Sequence, residues 1–277
     1  MNDLDCIQFL QWALPQLRMR WPGFRRVRGQ VCKRINRRIQ ELGLSHLLSY
    51  QDYLKQHPDE WPILERMCRV TISRFFRDRR FFAVLESEVL PALAREVHES
   101  GEKILRCWSA GCASGEEAYS LSLIWHCRIA SDWPGLAMEV IATDVDPVLV
   151  QRAKRACYPG SSVHGVPADW LRRAFIQRGA DTCLKPEFKD SVRFMDQDIR
   201  LHRPPGPFHL ILCRNLVFTY FDEGLQREIL AGMTPVLSDG GALAIGVHES
   251  LPAAVSGFSA WQPGLPVYRK ETAPSGP

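Results

Sequence analysis

Residues 108–120, WSAGCASGEEAYS, join an apolar run, KILRCWSA (103–110), to a segment of helical character, EEAYSLSLIWHC (116–127). A strand, a glycine turn and a helix in that order form the opening unit of an alternating α/β fold. The turn also narrows the ligand. A phosphate-binding loop needs Gly-Lys-Ser/Thr after its glycines, and a dinucleotide fingerprint needs GxGxxG. This turn instead has Gly111 and Gly115, followed at once by Glu116 and Glu117. The two acids favour the helix dipole. They repel the pyrophosphate that a helix N-terminus otherwise welcomes. A ligand carrying an amino group or a sulfonium suits such a turn better.

The pattern continues outward. LAMEVIATDVD (136–146) reads as a second strand ending in acid, followed by a helix in PVLVQRAKRACY (147–158). VRFMDQD (192–198) is a short third strand, and FHLILCRN (208–215) is a fourth, apolar enough to be covered on both faces. FDEGLQREILAGMTPVL (221–237) is helical, Gly240-Gly241 turns into the strand ALAIGVH (242–248), and PVYRK (266–270) is a last strand. This alternation predicts an α/β fold with a mostly parallel sheet under helices. Its ligand belongs beyond the carboxyl ends of the strands. Asp144 stands at such an end, where these folds place a carboxylate that accepts from ribose hydroxyls. The plainer alternative makes Asp144 or Asp146 a helix cap. The glycine turn, the acid after it and the acid of the second strand together point to S-adenosylmethionine.

A chain of 277 residues can hold one large domain or two small ones. It has no apolar stretch of 18 residues, so no membrane insertion is expected. The start, MNDLDCIQFLQWAL, lacks the basic region and cleavage site of a signal peptide. Nine cysteines lie scattered without a CxxC pair. Reduced thiols are expected rather than a disulfide framework or a zinc site.

No alternating strand pattern occurs before residue 100. Ile7, Leu10 and Leu14 make one apolar stripe. Val31, Ile35, Ile39 and Leu42 make another, with Gly43 as its stop. Ser45 is placed to cap a helix carrying Leu48, Tyr50 and Tyr53. HPDEWPILERMCRV (57–70) starts a further helix, with Pro58 near its beginning. The run 70–100 supplies a link, Asp78 as a cap and a long helix. Between Arg18 and Arg38 there are nine basic residues and no acidic one. That face is either merely solvated or a docking surface for an acidic partner. It has few aromatics on which bases could stack, so no nucleic acid is expected.

The chain resembles the CheR-type methyltransferases, which methylate glutamate side chains of chemotaxis receptors. The matching runs are VTISRFFRD (70–78), WSAGCASGEEAYSL (108–121), ATDVD (142–146), ILCRNLVFTYFD (211–222) and GGALAIGVHESL (240–251). The resemblance implies a small all-helical N-terminal domain (1–70), a linker and long helix (71–100), and a Rossmann-like class I methyltransferase domain (101–277). The last binds S-adenosylmethionine and releases S-adenosylhomocysteine. The resemblance assigns Ser73 and Arg77 to the methionine part of the cofactor, Ser73 standing for a usual threonine. Thr71 stands where an asparagine is common. Gly111 belongs to the turn, and Glu117, with Glu116 as the alternative, takes the amino group. Asp144 takes the ribose. Asp198 and Ile199 stand for an Asn-Leu pair beside the adenine, and Arg214 and Asn215 carry the CRN motif.

Arg77 and Tyr220 are the implied catalytic residues. The family has three residues between this Asn and the Tyr-Phe pair; here four separate Asn215 from Tyr220, so either Tyr220 is shifted by one or the loop bulges to keep it in place. No metal and no general base are implied, because a glutamate acceptor is already ionised at pH 7. His248 reads as a structural residue ending an apolar strand. The implied partner is an acidic, glutamate-bearing protein helix, such as a chemoreceptor's cytoplasmic domain. The basic helix, with Arg34, Arg37 and Arg38, would guide it to a cytoplasmic monomer. Some members grip a receptor tail with a small antiparallel insert. The matching stretch here, RGADTCLKPEFKDS (178–191), is short and lacks the glycine-rich repeat, so tail tethering is not expected. Two other functions stay open: a methyltransferase for another acceptor, and a non-catalytic module that binds S-adenosylmethionine in signalling.

Overall fold

A computed structural model describes residues 3–253 and 255–272; residues 273–277 of the expected C-terminal domain lie outside the described residues. The chain divides into two compact units, 1–71 with 219–226, and 72–218 with 227–277.

The first unit is built from helices α1 (Asp3–Gln16), α2 (Trp21–Phe24), α3 (Arg28–Glu41), α4 (Leu47–Gln56) and, after a 3-10 turn at Pro58–Glu60, α5 (Trp61–Cys68). Phe9, Leu10 and Leu14 of α1 are buried, as are Val31, Ile35 and Ile39 of α3. Gly43 follows α3 with φ +67°, the left-handed stop that glycine adopts without cost. Ser45 is not the cap of α4. His46 is, its Nδ1 accepting the Ser49 N–H at 3.2 Å. Starting there turns Tyr50 and Leu54 inward and leaves Leu48 69% exposed.

Two arginines expected to face a partner are turned inward. Arg34 Nη1 donates to the Met67 and Arg69 carbonyls at 3.0 and 2.5 Å, closing the C-terminus of α5. Arg38 forks onto Glu60, Nε to Oε1 at 2.9 Å and Nη2 to Oε2 at 2.8 Å. Tyr50 donates its hydroxyl to Oε1 at 2.9 Å. Burial pushes the Glu60 carboxyl up, but the Arg38 and Tyr50 hydrogen bonds outweigh it and hold the group below the usual carboxylate range. Arg25, Arg26, Lys33 and Arg37 remain exposed.

The second unit begins with an irregular link. A helical run then passes through α6 (Arg79–Val84), a π-helical turn at Leu85–Val89 and α7 (Leu90–Glu99). Next come β1 (Ile104–Ala110), α8 (Glu116–Ile124), β2 (Ala137–Asp144), α9 (Pro147–Arg155), β3 (Cys157–Pro159), α10 (Gly160–Val163), α11 (Ala168–Ala174), β4 (Phe175–Arg178), β5 (Asp181–Leu184), β6 (Val192–Asp196) and β7 (Phe208–Cys213). The chain ends with α12 (Val217–Tyr220), α13 (Glu223–Met233), β8 (Leu237–Ile245), β9 (Phe258–Ala260) and β10 (Val267–Lys270). The main sheet has the order β6-β2-β1-β7-β8-β10-β9. Its first five strands pair in parallel, and β10 and β9 close the far edge in antiparallel fashion. All six residues of β7 are buried, His209 among them, as expected of a mainly apolar strand covered on both faces. The strand order reverses between β1 and β7, which is where an open α/β sheet leaves a crevice for its ligand.

Several local expectations are corrected. Asp78 precedes α6 but its side chain makes no capping bond, and its φ is 65°. Gly240-Gly241 lies inside β8, in a bulge where pairing jumps from Phe208–Leu237 to Leu210–Ala242. His248 lies beyond β8 and is exposed, so it ends no strand. A second sheet, antiparallel in the order β3-β5-β4, was not indicated by sequence. Its strands of three and four residues are too short for a period to show. Gly179 at φ +60° turns β4 into β5. The thiols are also not all reduced. Cys6 is joined to Cys32 and Cys157 to Cys183. Helix packing brings the first pair together and the β3–β5 register the second, and neither shows as a motif spacing. Cys68, Cys107, Cys112, Cys127 and Cys213 are free. Among the described residues no helix is long and apolar enough to cross a membrane.

Candidate active site

The glycine turn leaves β1 at the reversal point. Gly111 has φ +79°, and a Cβ there would collide with the Leu216 side chain. Gly115 has φ +91°, and its Cβ would sit 2.9 Å from both Ala153 and Phe194. The Gly111 and Cys112 amides donate to the Thr143 carbonyl at 2.8 and 3.0 Å, tying the turn to the end of β2. Asp144 completes the tie. Its Oδ2 accepts the Ala113 N–H at 2.8 Å, and its Oδ1 accepts the Asp146 N–H at 3.0 Å. Asp146 is the helix cap, accepting from the amides of Val148 and Leu149. The cap of α9 is therefore Asp146 and not Asp144.

The two glutamates after the turn have different fates. Glu116 is 1% exposed, and both its carboxylate oxygens accept from Ser114 Oγ at 3.0 Å. Glu117 stays 16% exposed at its side chain. Its Oε1 accepts from Ser109 Oγ at 2.8 Å and its Oε2 from Arg214 Nη1 at 3.0 Å. Arg214 comes from the end of β7 and is almost wholly buried. Its Nη2 donates to Asp78 Oδ2 at 2.6 Å. Its guanidinium lies 4.0 Å from the Phe81 ring centroid and 5.3 Å from that of Phe82. Asp78, Phe81 and Phe82 are site residues the sequence reasoning missed. Asp78 ends a motif run and the two phenylalanines follow it closely, but only the fold shows that they converge on Arg214.

The remaining residues are placed as follows. Asn215 has φ +56° and donates its backbone N–H to Glu249 Oε2 at 3.0 Å. Asp198 lies just past β6 and takes a guanidinium fork from Arg200, with Nη2 at 2.6 Å; Ile199 is buried. The Gln197 amide donates to the Asp144 carbonyl at 3.0 Å, which brings this loop to the end of β2. Arg77 is half-buried and donates to the Ile72 carbonyl at 2.7 Å. Ser73 is half-buried and Thr71 exposed. Tyr220 belongs to the helical unit, its ring centroid 5.1 Å from that of Phe24.

Gly111, Glu117, Asp144, Arg214 and Asn215 therefore meet at the ends of β1, β2 and β7. The field there is negative. Burial raises the Cys112 thiol well above its ordinary value, and the charges of Asp144, Glu117 and Glu116 raise it further. Cys112 is no thiolate nucleophile. His209 sits at the opposite end of β7, accepts the Arg106 N–H at 3.0 Å, and has its pKa lowered by burial. Among the described residues no cluster of His, Cys, Asp and Glu is arranged to hold a metal ion. The donor set fits the zwitterionic, sulfonium-bearing S-adenosylmethionine: carboxylates for its cationic groups, and a buried Arg214 Nε with no hydrogen-bond partner among the described residues.

Comparison with known proteins agrees with this geometry. Residues 71–262 match the model described as CheR methyltransferase, SAM binding domain, and residues 27–66 match the CheR methyltransferase, all-alpha domain. A chemotaxis protein methyltransferase of Escherichia coli K12 is 31% identical over 232 residues, 80% of this chain and 77% of its own. One of Listeria innocua is 31% identical over 185 residues, 67% of each chain. An uncharacterised 104.1 kDa protein of Rhodobacter capsulatus is 31% identical over 233 residues, which is 83% of this chain but 24% of that protein.

Proposed function

The chain belongs to the CheR methyltransferase family and is an S-adenosylmethionine-dependent methyltransferase, and from that premise we propose that it O-methylates glutamate side chains of a chemoreceptor-like protein in the cytoplasm. One observation carries the choice of acceptor. Among the described residues, the ends of β1, β2 and β7 offer no histidine, lysine or thiolate as a base, and their carboxylates are already engaged, Glu117 by Ser109 and Arg214 and Asp144 by two backbone amides. An amine or hydroxyl acceptor would have to lose a proton there. A glutamate carboxylate arrives already ionised.

S-adenosylmethionine supplies a methyl group activated by its sulfonium. The chain's part is to bind, orient and exclude water. We assign Asp144 to the ribose hydroxyls, Glu117 to the ammonium, and Asp198 and Ile199 to the adenine. Arg77 is assigned to the carboxylate, a pairing that guanidinium geometry favours, and Arg214 to the wall that holds Glu117. Thr71, Ser73, Gly111 and Asn215 complete the binding set. Arg77 and Tyr220 orient the incoming glutamate.

The test is transfer of radiolabelled methyl groups to receptor cytoplasmic fragments. Label released by mild base marks a carboxyl ester and supports the proposal. Base-stable label points to another acceptor, and cofactor binding without any transfer points to a silent signalling module.

For Tyr220, Tyr220→Phe keeps the ring that packs on Phe24 and removes one hydroxyl. Its kcat should fall about 2- to 10-fold, the scale of one hydrogen bond, with S-adenosylhomocysteine affinity nearly unchanged. An unchanged kcat removes Tyr220 from the reaction.

Substrate guidance is assigned to the exposed Arg25, Arg26, Lys33 and Arg37, replacing the face that included Arg34 and Arg38. The double variant Lys33→Glu, Arg37→Glu should slow methylation of an acidic receptor fragment about tenfold at low salt. The deficit should shrink as salt rises, because screening already removes the attraction. Equal rates at low salt would leave this face merely solvated.

A further inference from the structure

We propose that Asp78 is a positioning residue for the amino-acid end of the cofactor, acting through Arg214 on Glu117; the inference rests on the assignment of Glu117 to the ammonium made above. The local sequence makes Asp78 look like a helix cap, yet its carboxylate accepts no capping bond from α6. The left-handed backbone at φ 65° and ψ 66°, which Asp tolerates better than most residues, goes with a different partner. Asp78 Oδ2 takes Arg214 Nη2 at 2.6 Å, while Nη1 of the same guanidinium reaches Glu117 Oε2 at 3.0 Å. The Arg214 side chain is 2% exposed, against 27% for Asp78 and 16% for Glu117.

Charge makes the third member matter. A buried guanidinium facing Glu117 alone forms a neutral pair, and such a pair offers a cation little net attraction. Adding Asp78 leaves the triad with a net charge of −1. Glu117 then keeps a negative charge to offer although it is already paired. Its carboxylate also keeps room: it accepts one bond from Ser109 and one from Arg214, out of about four lone-pair sites. Geometry adds to charge. Asp78 and Glu117 hold the two Nη atoms while Phe81 and Phe82 lie against the guanidinium. The plane of Arg214, and with it the face of Glu117 that remains available, is thereby set before the cofactor enters. Asp78 touches no reacting atom; it fixes Arg214, which holds the residue assigned to the ammonium.

The experiment is calorimetry on the full chain with two probes. S-adenosylhomocysteine carries the amino-acid end, and methylthioadenosine lacks it. Asp78→Asn should weaken S-adenosylhomocysteine binding roughly tenfold, the scale of a charge-assisted hydrogen bond, and leave methylthioadenosine unchanged. Asp78→Glu, which keeps the charge, should restore most of the loss. Equal weakening of both probes, or no weakening of S-adenosylhomocysteine, overturns the proposal. So does a failure of Asp78→Glu to recover any affinity in a folded protein. Glu117→Gln separates the two assumptions. If it leaves S-adenosylhomocysteine affinity unchanged, the ammonium assignment fails first. If it weakens binding while Asp78→Asn does not, Asp78 alone is wrongly assigned.

Discussion

Arg214→Ala is expected to abolish measurable S-adenosylhomocysteine binding and to lower stability by about 3–5 kcal/mol, the cost of breaking a buried ion pair by removing one partner. Few side chains in the second unit are tied as closely. Its guanidinium joins Asp78 at 2.6 Å and Glu117 at 3.0 Å and lies 4.0 Å from the Phe81 ring centroid. Alanine removes all of this at once. It leaves Asp78 and Glu117 facing each other without the cation between them. Arg214→Lys is the informative companion. It keeps a positive charge but has one nitrogen for two carboxylates and no plane to lie on the rings, so its losses should fall between parent and alanine. Urea unfolding and calorimetry measure both variants. Parent-like affinity in folded Arg214→Ala would show that the site lies elsewhere.

The second large effect is expected in the helical unit. Arg38→Ala strands Glu60, which is 2% exposed, and leaves it the Tyr50 hydroxyl at 2.9 Å in place of a guanidinium fork. Local opening of α3 and α5 should become easier by about 3–5 kcal/mol. Hydrogen exchange at their amides should accelerate at least a hundredfold. The pair also predicts a pH dependence. The Glu60 carboxyl is held below its unfolded value, so its contribution is full above the ordinary glutamate pKa of about 4.3 and is lost as pH falls through the lower folded value. The parent should therefore lose protection of α3 on acidification below about pH 4, and Glu60→Gln should show a flatter profile over the same range. An unchanged exchange rate in Arg38→Ala would mean that Arg38 is free to act as a surface charge, as its sequence position first suggests.

Sequence alone determined the architecture and where in it most candidate residues would lie. Strand, glycine turn and helix are local arrangements, written in neighbouring residues by apolar runs and by the positive φ that Gly111 and Gly115 must adopt. Asp144 at the end of β2 and Arg214 at the end of β7 could be placed because a parallel sheet delivers its strand ends to one edge. The choice of partners was decided only by the tertiary structure. Long charged side chains can satisfy several neighbours, and which one they meet depends on packing between elements far apart in the chain. Arg34 and Arg38 looked like an outward face but close the end of α5 and hold Glu60. Asp78 looked like a cap but holds Arg214, which lies 136 positions further along the chain. Glu116 and Glu117 are adjacent and chemically alike, yet the helix buries one against Ser114 and turns the other toward Arg214. Cys157 meets Cys183 through a strand register that three- and four-residue strands could not announce. Short strands carry too few residues to show a period, and a charge carries no direction until the fold supplies one.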